Sequence, residues 1–194
     1  MRHILVLAAL ASLVSCGAPQ TASIQEASVS TNPATPRGIV RTDGHEAVSV
    51  AFASSARCEA LNSSEAARAL DRTNAVRAAE GLPMLRVNSK LQKAAEQQAC
   101  DMAGRGVMDH RGVASTGPGM RVKQLGYRPR ITAENIAAGS ASLFDLEGVL
   151  HEWATSARHR ENMVIPQMRE MGIGRAYSAD GRHAYWSVVY SAPK

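Results

Sequence analysis

The chain has 194 residues, with 22 Lys and Arg against 17 Asp and Glu, and its formal net charge is +5 at pH 7. Only 4% of the residues are aromatic and no basic run exceeds two residues, whereas a nucleic-acid-binding surface clusters basic side chains and interleaves aromatic ones. The sequence therefore predicts no nucleic-acid partner. The mild positive charge favours solubility, or a weak attraction to anionic lipids and wall polymers.

The N-terminal stretch resembles a secretory signal. After a short basic start, residues 4–14 are almost wholly apolar, which is too short for a membrane span of about 20 residues but fits the core of a signal peptide. The run ends in Leu-Val-Ser-Cys, which resembles a lipobox. This pattern predicts a lipoprotein signal peptide over 1–15 and lipidation of Cys16, which would attach the chain to a membrane. The alternative is an ordinary signal peptide cut near Ala18.

Residues 16–57 are rich in Ala, Ser, Thr and Pro and show no sustained helical or strand period. Such a segment buries too little apolar surface to offset its chain entropy. We therefore predict a flexible lipid-anchored tether over 16–57, with a candidate short strand at 47–52. The folded domain is predicted over 58–194, which is within the usual size of one domain.

Apolar periodicity and turn residues predict the elements of this domain. They are helices over 64–80, over 89–104, after Pro118 and over 142–157, a strand over 134–138, and a hairpin of strands 171–177 and 184–190 around the turn at 180–181. Ser63 or Ser64 is expected to cap the first helix and Ser89 the second. Helices separated by short strands indicate an α+β fold.

Two cysteines remain once Cys16 is assigned to lipidation. Cys58 and Cys100 form an even pair in an exported chain, and an oxidising compartment favours a disulfide between them. The alternative is two unpaired buried thiols.

Five motifs in a fixed order carry a family resemblance. They are Leu70-Asp71-Arg72-Thr73-Asn74-Ala75-Val76-Arg77 with Gly81-Leu82-Pro83-Met84-Leu85; residues 91–102 followed by His110; Ala133-Glu134-Asn135-Ile136-Ala137-Ala138-Gly139; Trp153, Ser156, His159, Arg160 and Asn162; and Gly172-Ile173-Gly174 with Trp186. Together they cover about 65–190 and resemble the bacterial type of the CAP superfamily (SCP domain), which comprises cysteine-rich secretory, antigen 5 and pathogenesis-related 1 proteins. The resemblance implies a three-layer α-β-α sandwich.

The resemblance also implies a binding cleft, whose residues here are His110, Glu134, His159, Asn135, Ser156 and Asn162. His110, Glu134 and His159 form the predicted metal set, because two imidazoles and a carboxylate can bind a divalent ion such as zinc. The family's second Glu falls at Ser156, and Glu152 is expected to project elsewhere on its helix. The incomplete set predicts weak binding, and no cofactor is certain.

Each of these residues also has a structural interpretation. A histidine beside a helix is commonly a hydrogen-bonding surface residue, and Glu134 could bond loop amides. Asn135 and Asn162 could hold turns through their side chains. Arg77 is expected to pair with a structural carboxylate, and Trp153 is expected in the core.

Several enzyme signatures are absent from the sequence. The residues from His151 to Thr155 lack the second histidine of a zincin motif, and no nucleophile elbow or phosphate-binding glycine loop occurs, so no catalytic residue is predicted. We expect a non-catalytic binding module of the cell envelope, facing the periplasm or the exterior, for a lipid, wall-polymer or protein ligand. The alternatives are a metal-dependent hydrolase of cell-wall or peptide substrates and a structural envelope protein.

Overall fold

The computed structural model describes residues 38–194. The predicted signal peptide, Cys16 and the first part of the predicted tether lie outside the described residues. The described elements are β1 (Ile39–Thr42), β2 (Val48–Ser49), β3 (Arg57–Glu59), α1 (Ser63–Ala79), β4 (Arg86–Val87), α2 (Ser89–Arg105), β5 (Val107–Met108), α3 (Pro118–Gln124), β6 (Pro129–Ser140), α4 (Leu146–Thr155), α5 (Ala157–Met163), β7 (Glu170–Tyr177) and β8 (His183–Pro193). Within this range, no helix is long and apolar enough to cross a membrane.

The main sheet is mixed. Its strands run in the order β1-β6-β8-β7-β3, and β4 pairs with β7 beside this path. The long strands β6, β8 and β7 are antiparallel neighbours, whereas β1 pairs parallel with β6 at one edge. The strands β2 and β5 form a separate two-stranded ribbon.

Helices cover both faces of the sheet, which confirms the α+β fold and the α-β-α layers. On β8, Trp186 and Val188 face the cluster that includes Trp153 of α4 and residues of α1. The alternate residues Tyr185 and Val189 face the clusters built on α2. This two-residue alternation is the side-chain period of a strand, so β8 packs against both helical layers.

The glycine motif of the last hairpin has a packing reason. A Cβ atom at Gly172 or Gly174 would overlap the backbone of α2 at Gln92 and Glu96. Glycine therefore allows α2 to lie directly on β7, and the hairpin predicted around 180–181 is confirmed by the pairing of β7 with β8.

The predicted helices are present, but their caps differ. Asn62 caps α1 in a full capping box with Glu65, and Asn88 caps α2 by accepting from the backbone amides of Lys90 and Leu91. The serines that we expected in these roles lie inside the helices. The asparagine that precedes each helix already has the extended backbone of an N-cap, so its side chain satisfies the free amides.

The predicted boundary of the domain at residue 58 is wrong. Residues 39–42 form β1 and 48–49 form β2, so the domain includes at least residues 38–57, which we had assigned to the tether. Three of the four residues of β1 are exposed. An edge strand held mainly by backbone hydrogen bonds needs no apolar alternation, and the sequence pattern therefore does not reveal it.

The disulfide between Cys58 and Cys100 is confirmed, with 5.2 Å between the two Cα atoms. It joins β3 to α2 across 42 positions of sequence. Closing a loop of this length is worth about 4 kcal/mol in the chain-entropy account. The bridge therefore fixes the segment before α1 to the body of the domain.

Arg77 does not pair with any carboxylate of the described residues, contrary to our expectation. It is fully buried, and its guanidinium donates to the backbone carbonyls of Pro83, Met163 and Ile165. A rigid fork with five donors can satisfy several carbonyls at once. Arg77 therefore joins the end of α1 to the chain that follows α5.

Candidate functional site

The centre of the site is a histidine held between two carboxylates. His110 Nδ1 lies 2.8 Å from Glu134 Oε2, and His110 Nε2 lies 2.7 Å from Asp43 Oδ1. All three side chains are buried. Because both ring nitrogens face carboxylate oxygens, the imidazolium form can donate two hydrogen bonds at once.

Glu134 has further partners on the other oxygen of its carboxylate. Arg121 on α3 pairs with Glu134 Oε1, and the hydroxyl of Ser187 on β8 donates to the same atom at 3.0 Å. Arg121 also donates to the carbonyl of His110 at 2.9 Å, which fixes the loop after β5. The carboxylates of Asp43 and Glu134 thus face the cations of Arg121 and protonated His110, and the buried cluster is electrically balanced.

The pKa values of the cluster favour this charged arrangement. Burial alone would lower the pKa of His110, but hydrogen bonds to Asp43 and Glu134 outweigh it and raise the pKa to about 9. Burial would raise the pKa of Asp43, and the neighbouring imidazoles of His110 and His159 lower it instead. Burial would likewise raise the pKa of Glu134, yet the neighbouring charge of Arg121 and the bond from His110 lower it. His110 is therefore protonated at neutral pH.

Asp43 reaches this position because β1 ends just before it. Thr42 is the last residue of β1 and pairs with Glu134, so no strand partner remains for the next free amide of β6 at that edge. The Oδ2 atom of Asp43 accepts that amide, from Ile136, at 2.8 Å. The carboxylate thus continues the hydrogen bonding of the sheet edge with side-chain atoms.

His159 approaches Asp43 from α5. Its Nε2 atom is 3.4 Å from Asp43 Oδ2, and its Nδ1 atom is 3.3 Å from Glu152 Oε1. Neither contact has hydrogen-bond geometry, so both nitrogens of this buried ring lack a hydrogen-bond partner among the described residues. The ring of His45 lies 5.1 Å away, centroid to centroid. One ligand atom each from Asp43, His45 and His159 lie within 4.8 Å of one another.

The expectation that Glu152 projects away from the site is wrong. The helix breaks at Ser156, whose backbone is extended, and α5 starts directly after it. This change of direction brings His159 alongside the last turns of α4 and therefore near Glu152. The rings of His110 and His159 are also buried, so neither is the surface histidine of the structural interpretation.

The two asparagines of the predicted cleft are bracing residues. Asn135 donates to the carbonyl of His159 at 2.9 Å, and Asn162 donates to Asn135 Oδ1 at 2.8 Å and to the carbonyl of Glu134. They fix β6 to α5 and so set the position of His159. Ser156 joins α4 to α5 and makes no side-chain capping bond.

The three residues of the predicted metal set have different partners in the structure. His110 and Glu134 bind each other, and His159 approaches the other oxygen of Asp43 from the one that His110 contacts. Metal binding by His110, Glu134 and His159 stays a prediction. The group that the structure brings within ligand distance is instead Asp43, His45 and His159.

A polar pocket opens above the buried cluster. It has a volume of about 530 Å³, and its lining residues are Thr42, His45, Glu46, Ala47, Asp109, His110 and Arg111. The segment after β1 therefore forms one wall of this pocket, and His110 of the cluster also lines it.

The sequence did not identify Asp43, His45 and Arg121 as site residues, and it did not predict the contact between Glu152 and His159. Asp43 and His45 lie in the segment that we assigned to the tether, and the contact between Asp43 and His110 spans 67 positions. The Asp-Gly-His sequence of residues 43–45 is a local signal, but without a known strand before it this signal does not identify a site.

The described domain is thus an α-β-α sandwich with a histidine–carboxylate cluster at one sheet edge. Residues 70–190 match the family model of the cysteine-rich secretory protein family, CAP. The chain belongs to this family.

Individual relatives are more distant. The chain is 30% identical over 107 residues to the uncharacterized protein YkwD of Bacillus subtilis, a match that covers 55% of this chain and 40% of YkwD. An outer surface protein of Borrelia burgdorferi has a TM-score of 0.60 at 20% identity, covering 68% of this chain and 95% of that one. An extracellular SCP-domain protein of Bacillus anthracis has a TM-score of 0.57 at 22% identity, covering 66% and 40%. These two structures share the fold.

We predict that Asp43→Asn destabilises the domain by about 3–5 kcal/mol, because it removes one counter-charge of the buried His110 cation. The NH2 group of the new side chain would also face a hydrogen-bond donor, either His110 or the amide of Ile136. Urea unfolding followed by circular dichroism measures the change. The matched control is Asp71→Asn on α1, an exposed carboxylate, which should change the free energy of unfolding by less than about 0.5 kcal/mol. Equal effects of the two substitutions would contradict the central role of Asp43.

The free energy of unfolding should also depend on pH. The pKa of His110 is raised to about 9 in the folded domain, so its contribution is complete below the unfolded value of about 6.5 and is lost as the pH rises through 9. We expect a loss on the order of 2 kcal/mol between these limits, measured by urea unfolding in EDTA. The loss should disappear in His110→Gln and persist in His151→Gln, which changes an exposed histidine of α4. An unchanged slope in His110→Gln would refute this assignment.

Proposed function

We propose that this chain is an exported lipoprotein whose CAP domain is a non-catalytic binding module of the cell envelope. The observation that carries the proposal is the complete engagement of His110, whose two ring nitrogens both face carboxylates. A general base needs a free nitrogen lone pair directed at the substrate, and protonated His110 has none. The cluster therefore supports a structural role, in which these buried groups hold a binding surface in place.

The polar pocket above the cluster is the proposed ligand site. Its wall carries the side chains of His45, Glu46, Asp109 and Arg111, so charged and hydrogen-bonding groups of both signs face the ligand. Such a lining favours a polar ligand, such as a wall polymer or a protein segment, over an apolar lipid.

The proposed cell-envelope location is supported by the sequence of the N-terminus and by the locations of two structural neighbours. Cys16 follows an apolar segment of signal-peptide length. One structural neighbour is an outer surface protein and another is an extracellular protein. We propose that lipid attached at Cys16 holds the domain at a membrane, facing the periplasm or the exterior.

A metal-dependent hydrolase is the second candidate, because one carboxylate and two imidazoles meet at the edge of the pocket. Asp43, His45 and His159 match the ligand types that zinc prefers. The unpartnered ring nitrogens of buried His159 fit this interpretation. A zinc ion held there would act as a Lewis acid on a carbonyl group. Asp43 would then serve His110 through one oxygen and the ion through the other.

We predict weak zinc binding by the wild-type chain and its loss in His45→Ala, because His45 is the exposed member of the group. Isothermal calorimetry measures the affinity, and His151→Ala is the matched control with the same exposed imidazole removed from α4. If His110→Gln abolishes binding while His45→Ala does not, the ions are held by His110, Glu134 and His159 as the sequence predicted.

The same proteins distinguish the binding module from the hydrolase. Purified chain incubated with peptidoglycan or casein should release no soluble product, with zinc or without it. Zinc-dependent release that disappears in His45→Ala would overturn the non-catalytic proposal.

For the anchor, we predict that Cys16→Ala moves the protein from the membrane fraction to the soluble fraction, because the thiol that carries the acyl chains is lost. Cell fractionation and labelling with radioactive palmitate measure this. Ser15→Ala keeps a small residue before the cysteine and should remain labelled. Palmitate labelling of Cys16→Ala would show that the lipobox interpretation is wrong.

A further inference from the structure

Four exposed cationic side chains gather at one end of the sheet. Lys90 lies in the first turn of α2, Lys123 on α3, Arg128 just before β6, and Lys194 after β8. They line two adjoining depressions of about 420 and 390 Å³ that share Tyr127 and Arg128. We refer to Lys90, Lys123, Arg128 and Lys194 as the basic surface.

Within residues 38–194, no side-chain carboxylate neutralises the positive charge of the basic surface. None of its four members forms an ion pair with a described side-chain carboxylate, whereas many other cations of the domain do. Glu170 lies near Tyr127, but Arg86 binds it at 2.8 Å and the Tyr127 hydroxyl donates to it at 2.6 Å. The surface therefore retains its positive potential toward solvent.

Local structure concentrates this charge. Lys90 occupies the N-terminal turn of a 17-residue helix, where the helix dipole is also positive and a cation is unfavourable. Its ammonium group donates to the carbonyl of Gly126 at 2.9 Å, which holds the loop between α3 and β6 against α2. Cations from three separate parts of the chain are thus kept together although they repel one another.

The described domain begins at this same end. The amide of Gly38 donates to the carbonyl of Arg130 at 2.5 Å, two residues beyond Arg128. The amide of Lys194 donates to the carbonyl of Arg128 at 2.9 Å. The chain that connects to Cys16 therefore meets the domain beside the basic surface.

We propose that the basic surface binds the anionic headgroups of membrane lipids and sets the domain with this end toward the bilayer. The orientation rests on the proposed anchor at Cys16, but the attraction itself does not. The polar pocket beside His45 is lined by a different set of residues, so membrane contact at the basic surface leaves it open to a ligand. Because headgroup attraction decays within a Debye length of about 8 Å, binding should be sensitive to salt.

The test uses the full chain carrying Cys16→Ala, so that no acyl chain contributes. Sedimentation with vesicles of phosphatidylcholine and phosphatidylglycerol should show binding at low salt, and vesicles of phosphatidylcholine alone should show none. The double variant Lys123→Gln/Arg128→Gln should bind on the order of tenfold more weakly, since each basic residue near an anionic surface contributes severalfold to affinity.

The matched control is Arg72→Gln/Arg158→Gln, which removes the same charge from exposed positions on α1 and α5, in the other helical layer. This control should bind within about twofold of the parent chain. Equal losses in the two double variants would show a general charge effect and overturn the proposal. Retention on a phosphate-rich wall polymer without binding to anionic vesicles would overturn the choice of lipid. Palmitate labelling of the wild-type chain reports on the anchor separately.

Discussion

The buried contact between Asp43 and His110 is the interaction on which the site depends. One carboxylate oxygen binds the imidazolium and the other accepts the amide of Ile136, so Asp43 joins the end of β1 to β6 and to the loop after β5. Removing charges from water is costly, and such a pair is stable only when further hydrogen bonds satisfy it. Glu134 and Arg121 complete that requirement, and the four groups hold the sheet edge as one unit.

This arrangement extends the folded unit beyond the part that matches the family. The family match covers 70–190, whereas Asp43 and the strand before it come from residues 38–59. That segment contributes two strands to the main sheet, one wall of the polar pocket and Cys58 of the disulfide. The domain of this protein therefore consists of the family core and the N-terminal segment 38–59, which supplies Asp43 to the histidine cluster.

The engagement of the charged groups bears on the choice between binding and catalysis. His110 is held as a cation by two carboxylates and serves as a structural link, whereas His159 is buried with both ring nitrogens unpartnered among the described residues. The two histidines thus differ in role, although the sequence motifs present them as equivalent. The groups at this sheet edge that are placed to bind a metal ion are therefore Asp43, His45 and His159, and His45 also lines the pocket.

The sequence by itself predicted four of the five described helices, the last hairpin and the family, because each has a local period, a turn or a motif, and α5 is not among them. The even pair of cysteines favoured the Cys58–Cys100 disulfide but left two unpaired thiols as the alternative. It did not predict β1, because an exposed edge strand has no apolar alternation to detect. Asp43 and His45 follow this strand, and they were therefore not identified as site residues. Only the tertiary structure decided which side chains meet at the cluster. Asp43 and His110 are 67 positions apart, and their contact depends on the parallel register of β1 on β6, which is set by backbone hydrogen bonds that any sequence can form.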